Sequence, residues 1–152
     1  MLRFDNDEPF STGMATYLYR PATAEETSPR ILLQIQVGEQ LISAFVDTGS
    51  PYFLCDPEVA STLGLSPEDA LGSETIRFRK ERLNGKIHRF PVIFLAEAGE
   101  NLPVEATMFV PDLTNDQVWG DFPSIIGLSG CLERLRFAVD PSNDRFYFGA
   151  LP

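Results

Sequence analysis

An alternating apolar run constrains this chain more than any other stretch. Ile31, Leu33, Ile35 and Val37 alternate with Leu32, Gln34 and Gln36, the period of two that turns one set of side chains toward a core along a strand. Gly38-Glu39-Gln40 then turns the chain. The returning run, Leu41 to Val46, is apolar at nearly every position, as a strand covered on both faces requires. It stops abruptly on Asp47. A carboxylate delivered at the end of a buried strand must be hydrogen-bonded, paired or put to use.

The rest of the chain reads as mostly β with two short helices. Thr75 to Arg82 and Lys86 to Ala96 are expected strands, and Asn84-Gly85 between them is the two-residue turn of a protruding hairpin, because both residues tolerate positive φ. Shorter strands are expected at Met14 to Tyr19, Ala106 to Val110, Ser124 to Ile126 and Arg145 to Phe148. Asp56-Pro57-Glu58 starts a helix, with an acidic N-cap and proline at the first helical position, and Gly64 stops it. Ser129 is placed to cap a second helix running to about Leu135. Residues 21 to 30 form a polar connector bounded by Pro21 and Pro29. Residues 1–30 are therefore expected to be a peripheral segment and 31–152 the domain.

Composition narrows the function classes. At 152 residues, with 43% hydrophobic content, the chain suffices for one packed domain. A formal net charge of -10 is unsuited to nucleic acid, whose phosphates require a basic surface. The start of the chain carries early acidic residues and no apolar core of secretory-signal length, and no later run reaches membrane-spanning length. No membrane association and a cytoplasmic location are expected. Cys55 and Cys131 are the two cysteines; without Cys-x-x-Cys spacing they read as free, largely buried thiols rather than a disulfide framework or zinc knuckle. His88, the one histidine, cannot supply a multi-histidine metal site. Flanked by Lys86 and Arg89, it reads as a solvated strand residue.

The chemistry concentrates at Asp47-Thr48-Gly49-Ser50. The tripeptide Asp-Thr-Gly occurs by chance in about 3% of chains of this length, so it becomes informative only beside a second element. That element is Ile125-Ile126-Gly127, two apolar residues and a glycine leading into Ser129-Gly130-Cys131-Leu132-Glu133-Arg134. With the intervening hairpin, this order resembles the retropepsin-like aspartic proteases, the family of retroviral proteases and their cellular relatives. The resemblance runs from about Ile31 to Phe148, and the ending Cys131 to Asp140 is similar to stand-alone microbial members.

The resemblance implies a closed, barrel-like acid protease fold with one Asp-Thr-Gly half-site per chain. It implies Asp47 as the catalytic carboxylate, Thr48 as a brace across a dimer axis, and Ser50 as a hydroxyl able to hydrogen-bond the outer carboxylate oxygen. The reaction needs two carboxylates, so a symmetric homodimer is implied, in which one Asp47 activates water and its partner donates a proton to the scissile carbonyl of a peptide or protein substrate. No cofactor and no metal are implied.

The hairpin from about 75 to 95 occupies the family's flap position. Its expected tip, Leu83-Asn84-Gly85-Lys86, departs from the glycine-rich apolar tip of the retroviral enzymes. Arg77, Arg79, Lys80, Arg82, Lys86 and Arg89 put six of the 12 Lys and Arg residues on this hairpin. The tip motivates an alternative function, a dimer of the same fold that binds peptide or serves in assembly without turnover.

Overall fold

In the computed structural model, residues 1–112 and 116–152 are described. Twelve strands among them form two sheets. The larger sheet starts from β3 (Arg30–Val37) and β4 (Gln40–Val46), an antiparallel pair with Val37 opposite Gln40. Gly38, at φ 61°, opens the two-residue loop between them, a backbone sign that glycine adopts without strain. The edge strand β2 (Leu18–Arg20) pairs with β3. Next to β4 lie β10 (Ser124–Ile126), β5 (Phe53–Leu54), β9 (Leu102–Pro111), β7 (Glu81–Phe94) and β6 (Gly72–Phe78), in that order. β7 also pairs with β3 through Ile35↔Phe94, Gln36↔Ile93 and Val37↔Val92. Hydrogen-bonded neighbours therefore run from β3 through β4, β10, β5, β9 and β7 and back to β3.

The smaller sheet has the order β11 (Leu135–Asp140), β12 (Arg145–Ala150), β1 (Gly13–Thr16), β8 (Ala98–Gly99). The N-terminal segment, expected to be peripheral, is thus built into both sheets. β1 lies between β12 and β8, and Ala15 and Tyr17 are 7% and 4% exposed. Two strands of three and four residues are too short for alternation to stand out from a polar background, and the partners of β1 lie more than eighty residues away.

Two apolar clusters fill the fold. Leu33, Ile35, Val37 and Ala44 join the larger one with Phe94, Met108, Ile126 and Phe146. Leu32 and Phe45, on the opposite strand faces, join a second with Ile76, Phe78, Leu83, Phe109, Trp119 and Ile125. β4 is covered on both faces only toward its C-terminal end; Leu41, at its start, is 62% exposed.

The hairpin turns at a different place from the one expected. Phe78 pairs with Glu81, Arg77 with Arg82 and Ile76 with Leu83, so the two-residue loop is Arg79-Lys80. Their φ angles of 50° and 70° carry the signs of a type I′ turn. Asn84-Gly85 lies inside β7, opposite Thr75 and Glu74. Packing overrides the local turn signal in two ways. Leu83 is fully buried together with Ile76 and Phe78, which a turn at the next two residues would forbid. Gly85 is also needed for close approach, since a Cβ there would stand 2.5 Å from both the Phe109 ring and the Val110 carbonyl oxygen.

α1 (Pro57–Thr62) begins as the sequence indicates, with the Asp56 carboxylate accepting from the Glu58 N–H at 2.9 Å. The second short helix is α2 (Asp116–Trp119), not the segment after Ser129. There the chain makes one 3-10 turn at Leu132–Arg134 and passes directly into β11; the N-cap is Cys131, without a side-chain cap. No helix among the described residues is long and apolar enough to cross a membrane.

Candidate active site

Asp47 stands where β4 ends, half-buried. β10 runs parallel to β4 and antiparallel to β5, so the segment ending in Ile125-Ile126-Gly127 is threaded between the two strands that flank the Asp47 loop. Backbone bonds then pin the loop. The Asp47 N–H donates to the Ile126 carbonyl at 3.0 Å, Gly127 N–H to Tyr52 O at 2.8 Å, Leu128 N–H to Ser50 O at 2.8 Å, and Tyr52 N–H to Ser129 O at 2.7 Å. The two motifs read from the sequence meet as one backbone-bonded unit.

The loop also orients the carboxylate. Asp47 Oδ1 accepts from the Gly49 N–H at 2.9 Å, and Oδ2 accepts from the Ser50 hydroxyl at 2.8 Å. Gly49 is not among the positive-φ glycines, so glycine is favoured there by crowding rather than by turn geometry: a Cβ would lie 3.2 Å from Asp47 Oδ1. Thr48 and Gly49 are exposed.

Asp47 and Ser50 border a cleft of about 500 Å³. Its apolar wall includes Phe45, Leu54, Phe122 and Ile125, and the hairpin tip contributes Phe78, Arg79 and Lys80. Of the four residues expected at the tip, none borders this cleft. Lys86 lines a separate cavity with His88, and Leu83 is core. An aromatic chain ties the true tip to β4. Phe78 stacks on Trp119 with centroids 4.3 Å apart and meets Phe122 edge-on at 5.5 Å; Phe122 meets Phe45 edge-on at 5.3 Å. Phe45 is two residues from Asp47, so hairpin position and carboxylate position are coupled through packed rings.

Arg30 on the cleft border and Tyr52 in the Asp47 loop were not singled out in the sequence, whereas Arg79 was read there as one of the hairpin cations. Arg30 places its guanidinium 5.1 Å from the Phe45 ring centroid, and Arg79 lies 4.8 Å from that of Phe122. Tyr52, at φ 58°, donates its hydroxyl to Glu74 at 3.3 Å, joining the Asp47 loop to β6. Burial, and then the Glu74 charge, raises this phenol above its ordinary range. Pro51-Tyr52 directly after the motif was the one available hint.

The remaining singled-out side chains lie elsewhere. Cys55 and Cys131 are free and buried, as expected. Burial pushes the Cys131 thiol up to about 12 and the Cys55 thiol higher, so both remain protonated and unreactive at neutral pH. His88 is 4% exposed, not solvated. It pairs with Met108 across β7 and β9, and its other side faces the cavity beside Pro57 and Ala60. Burial lowers its pKa, against the opposing pull of Asp69. Among the described residues, no group of three or more His, Cys, Asp and Glu side chains is disposed to hold a metal ion.

No protein-family model and no curated protein matches the chain. Among solved structures it is similar to a retropepsin-like aspartic protease from Rickettsia conorii, with a TM-score of 0.55 and 20% identity over 94% of this chain and 98% of that one. The retroviral protease-like domain of Ddi1 from Leishmania major also aligns, with a TM-score of 0.47 and 18% identity over 81% of this chain and 94% of that one. The Rickettsia likeness extends over nearly the whole of both chains and shows the fold: mostly β and retropepsin-like.

Proposed function

We propose that this chain, which has the retropepsin-like fold, is one half of a homodimeric aspartic endopeptidase in which Asp47 of each subunit supplies a catalytic carboxylate. One observation carries the reading. A half-buried carboxylate, with both oxygens held by donors of its own loop, opens into a cleft roofed by a hairpin tip. A purely structural acid at a strand end has no use for such a cleft. The exposed Thr48 and Gly49 beside it supply a surface on which a second copy can place its own loop.

Two carboxylates brought face to face do not both ionise cheaply, so the pair holds one proton between them and titrates as a unit; the shared proton of aspartic proteases is the handiest known instance of this rule. The charged Asp47 takes a proton from a water molecule as its oxygen adds to the scissile carbonyl carbon. The protonated Asp47 donates to the carbonyl oxygen. Collapse of the resulting diol transfers a proton to the amide nitrogen, breaks the C–N bond and leaves a carboxyl and an amino terminus. The hairpin tip covers the peptide and excludes water. A non-catalytic, peptide-binding dimer is the second reading, drawn from an Arg79-Lys80 tip that lacks glycine.

The test is cleavage of a diverse peptide library between pH 3 and 8, with products identified by mass spectrometry, for wild type and Asp47→Asn, alongside ultracentrifugation. Endopeptidase activity confined to the wild type, in a species of twice 16.9 kDa, is expected. Equal cleavage by the variant overturns the assignment of Asp47. A dimer that binds peptides and cleaves none supports the second reading.

A further inference from the structure

The cleft that holds Asp47 carries a charge opposite to that of the molecule. Arg30, Arg77, Arg79 and Lys80 border it, with Glu26 as the one acid of its wall besides Asp47 among the described residues, in a chain whose net charge is -10. Among the described residues, no placed carboxylate forms an ion pair with any of these four cations. Arg30 and Arg79 lie over the Phe45 and Phe122 rings, contacts that fix a guanidinium plane while leaving its edge donors unused. The buried Arg30 Nε–H has no acceptor, and a buried donor without a partner is costly.

Folding alone does not account for these residues. A two-residue loop with φ positive at both positions is best served by Asn-Gly, yet the tip is Arg79-Lys80. The next rung sets Arg77 directly opposite Arg82, a like-charge pair that weakens a hairpin. Turn chemistry and strand pairing both disfavour these cations. An anionic ligand between the tip and the cleft floor offsets the repulsion among Arg77, Arg79 and Lys80, while the backbone cost of the turn remains.

Resting on the reading of Asp47 as a peptidase carboxylate, we infer that the cleft selects extended peptides carrying aspartate or glutamate close to the scissile bond. Such a carboxylate meets planar donor edges from Arg30 and Arg79 and a mobile ammonium from Lys80, while the rings take the apolar part of the peptide. At physiological ionic strength the screening length is about 8 Å. The overall negative charge is therefore attenuated at the cleft, and the local cations decide.

The experiment compares labelled pools of extended peptides that differ only in Glu versus Gln at fixed positions. Several exposed cation–carboxylate pairs acting together give a Glu-over-Gln ratio in kcat/KM of about tenfold at low salt. That ratio should shrink toward one in 0.5 M sodium chloride and in the variant Arg79→Asn/Lys80→Gly, which keeps a turn-forming pair at the tip. A ratio of one in the wild type, or one that salt leaves untouched, overturns the inference. Binding of the same pools to Asp47→Asn, read by fluorescence anisotropy, separates the two proposals. If the wild type cleaves nothing while the variant binds Glu pools more tightly, the peptidase reading falls and the acidic selectivity stands. Equal binding of both pools defeats the selectivity whatever happens to cleavage.

Discussion

A methyl group added at Gly127 would stand 2.2 Å from the carbonyl oxygen of Tyr52, 2.6 Å from that of Ser50 and 2.7 Å from that of Pro51. All three are backbone atoms of the loop that carries Asp47, so no side chain can swing aside. Gly127→Ala is expected to destabilise the protein by about 3 kcal/mol, the upper range for overpacking, and to displace the loop that orients the carboxylate. Gly64 is the control. It sits at φ 70° with nothing within 4 Å of an added Cβ, so Gly64→Ala meets only backbone strain, about 1 kcal/mol. Denaturant titration of the two variants checks the difference; equal losses would show that the contact with the loop carries no special weight. The apolar-apolar-glycine pattern made Gly127 visible in the sequence. Its reason was not, because the three oxygens belong to a segment some seventy-five residues earlier. Arg30 left no trace for the same cause: nothing in its neighbourhood along the chain says what it faces.

Among the elements, the hairpin of β6 and β7 separates local signal from packing most sharply. Asn84-Gly85 is the better turn in isolation, and Arg79-Lys80 is the turn that forms. The choice follows from burying Ile76, Phe78 and Leu83 on one face and from bringing β9 against Gly85. At the true tip, two non-glycine residues in the left-handed region cost about 1–2 kcal/mol each. Arg79→Asn/Lys80→Gly relieves much of that, while losing the Arg79–Phe122 contact, worth about 0.5–1 kcal/mol, and adding glycine freedom to the unfolded chain. A net gain of about 1 kcal/mol is expected, raising Tm by about 2–4 °C at fixed protein concentration. A lowered Tm would mean that the Arg79 contact, not the turn geometry, dominates. The segment after Ser129 shows the same precedence. A capping residue and a helical composition are present, but Leu135 is drawn into β11 opposite Ala150, and only one 3-10 turn fits before that strand begins.

For the whole molecule, the first twenty residues decide whether the smaller sheet is complete. β1 contributes four paired positions to β12 and two to β8, and the Tyr17 N–H donates to the Asp144 carbonyl at 2.9 Å. Removing residues 1–20 exposes Phe146 and Phe148 along the edge of β12 that β1 had paired and opens the edge of β3. A loss of at least about 4 kcal/mol is expected, from one buried aromatic side chain, a buried alanine and the ladder bonds. Against a typical total of about 5–15 kcal/mol, that shows as a sharply lowered denaturation midpoint or aggregation through the new edge. An unchanged midpoint would restore the view of this segment as peripheral.

Period-two alternation marked β3 and the hairpin strands, a proline and an acidic cap marked the start of α1, and two short motifs marked Asp47 and Gly127. Each of these is written in residues adjacent along the chain, where side-chain period and backbone preference act directly. The turn of the hairpin, the inclusion of the N-terminal strands, the burial of His88 and the cationic border of the Asp47 cleft follow instead from which distant strands pair. Pairing register is set by burying both faces of the sheet at once, a condition on the folded chain as a whole that no local stretch of residues contains.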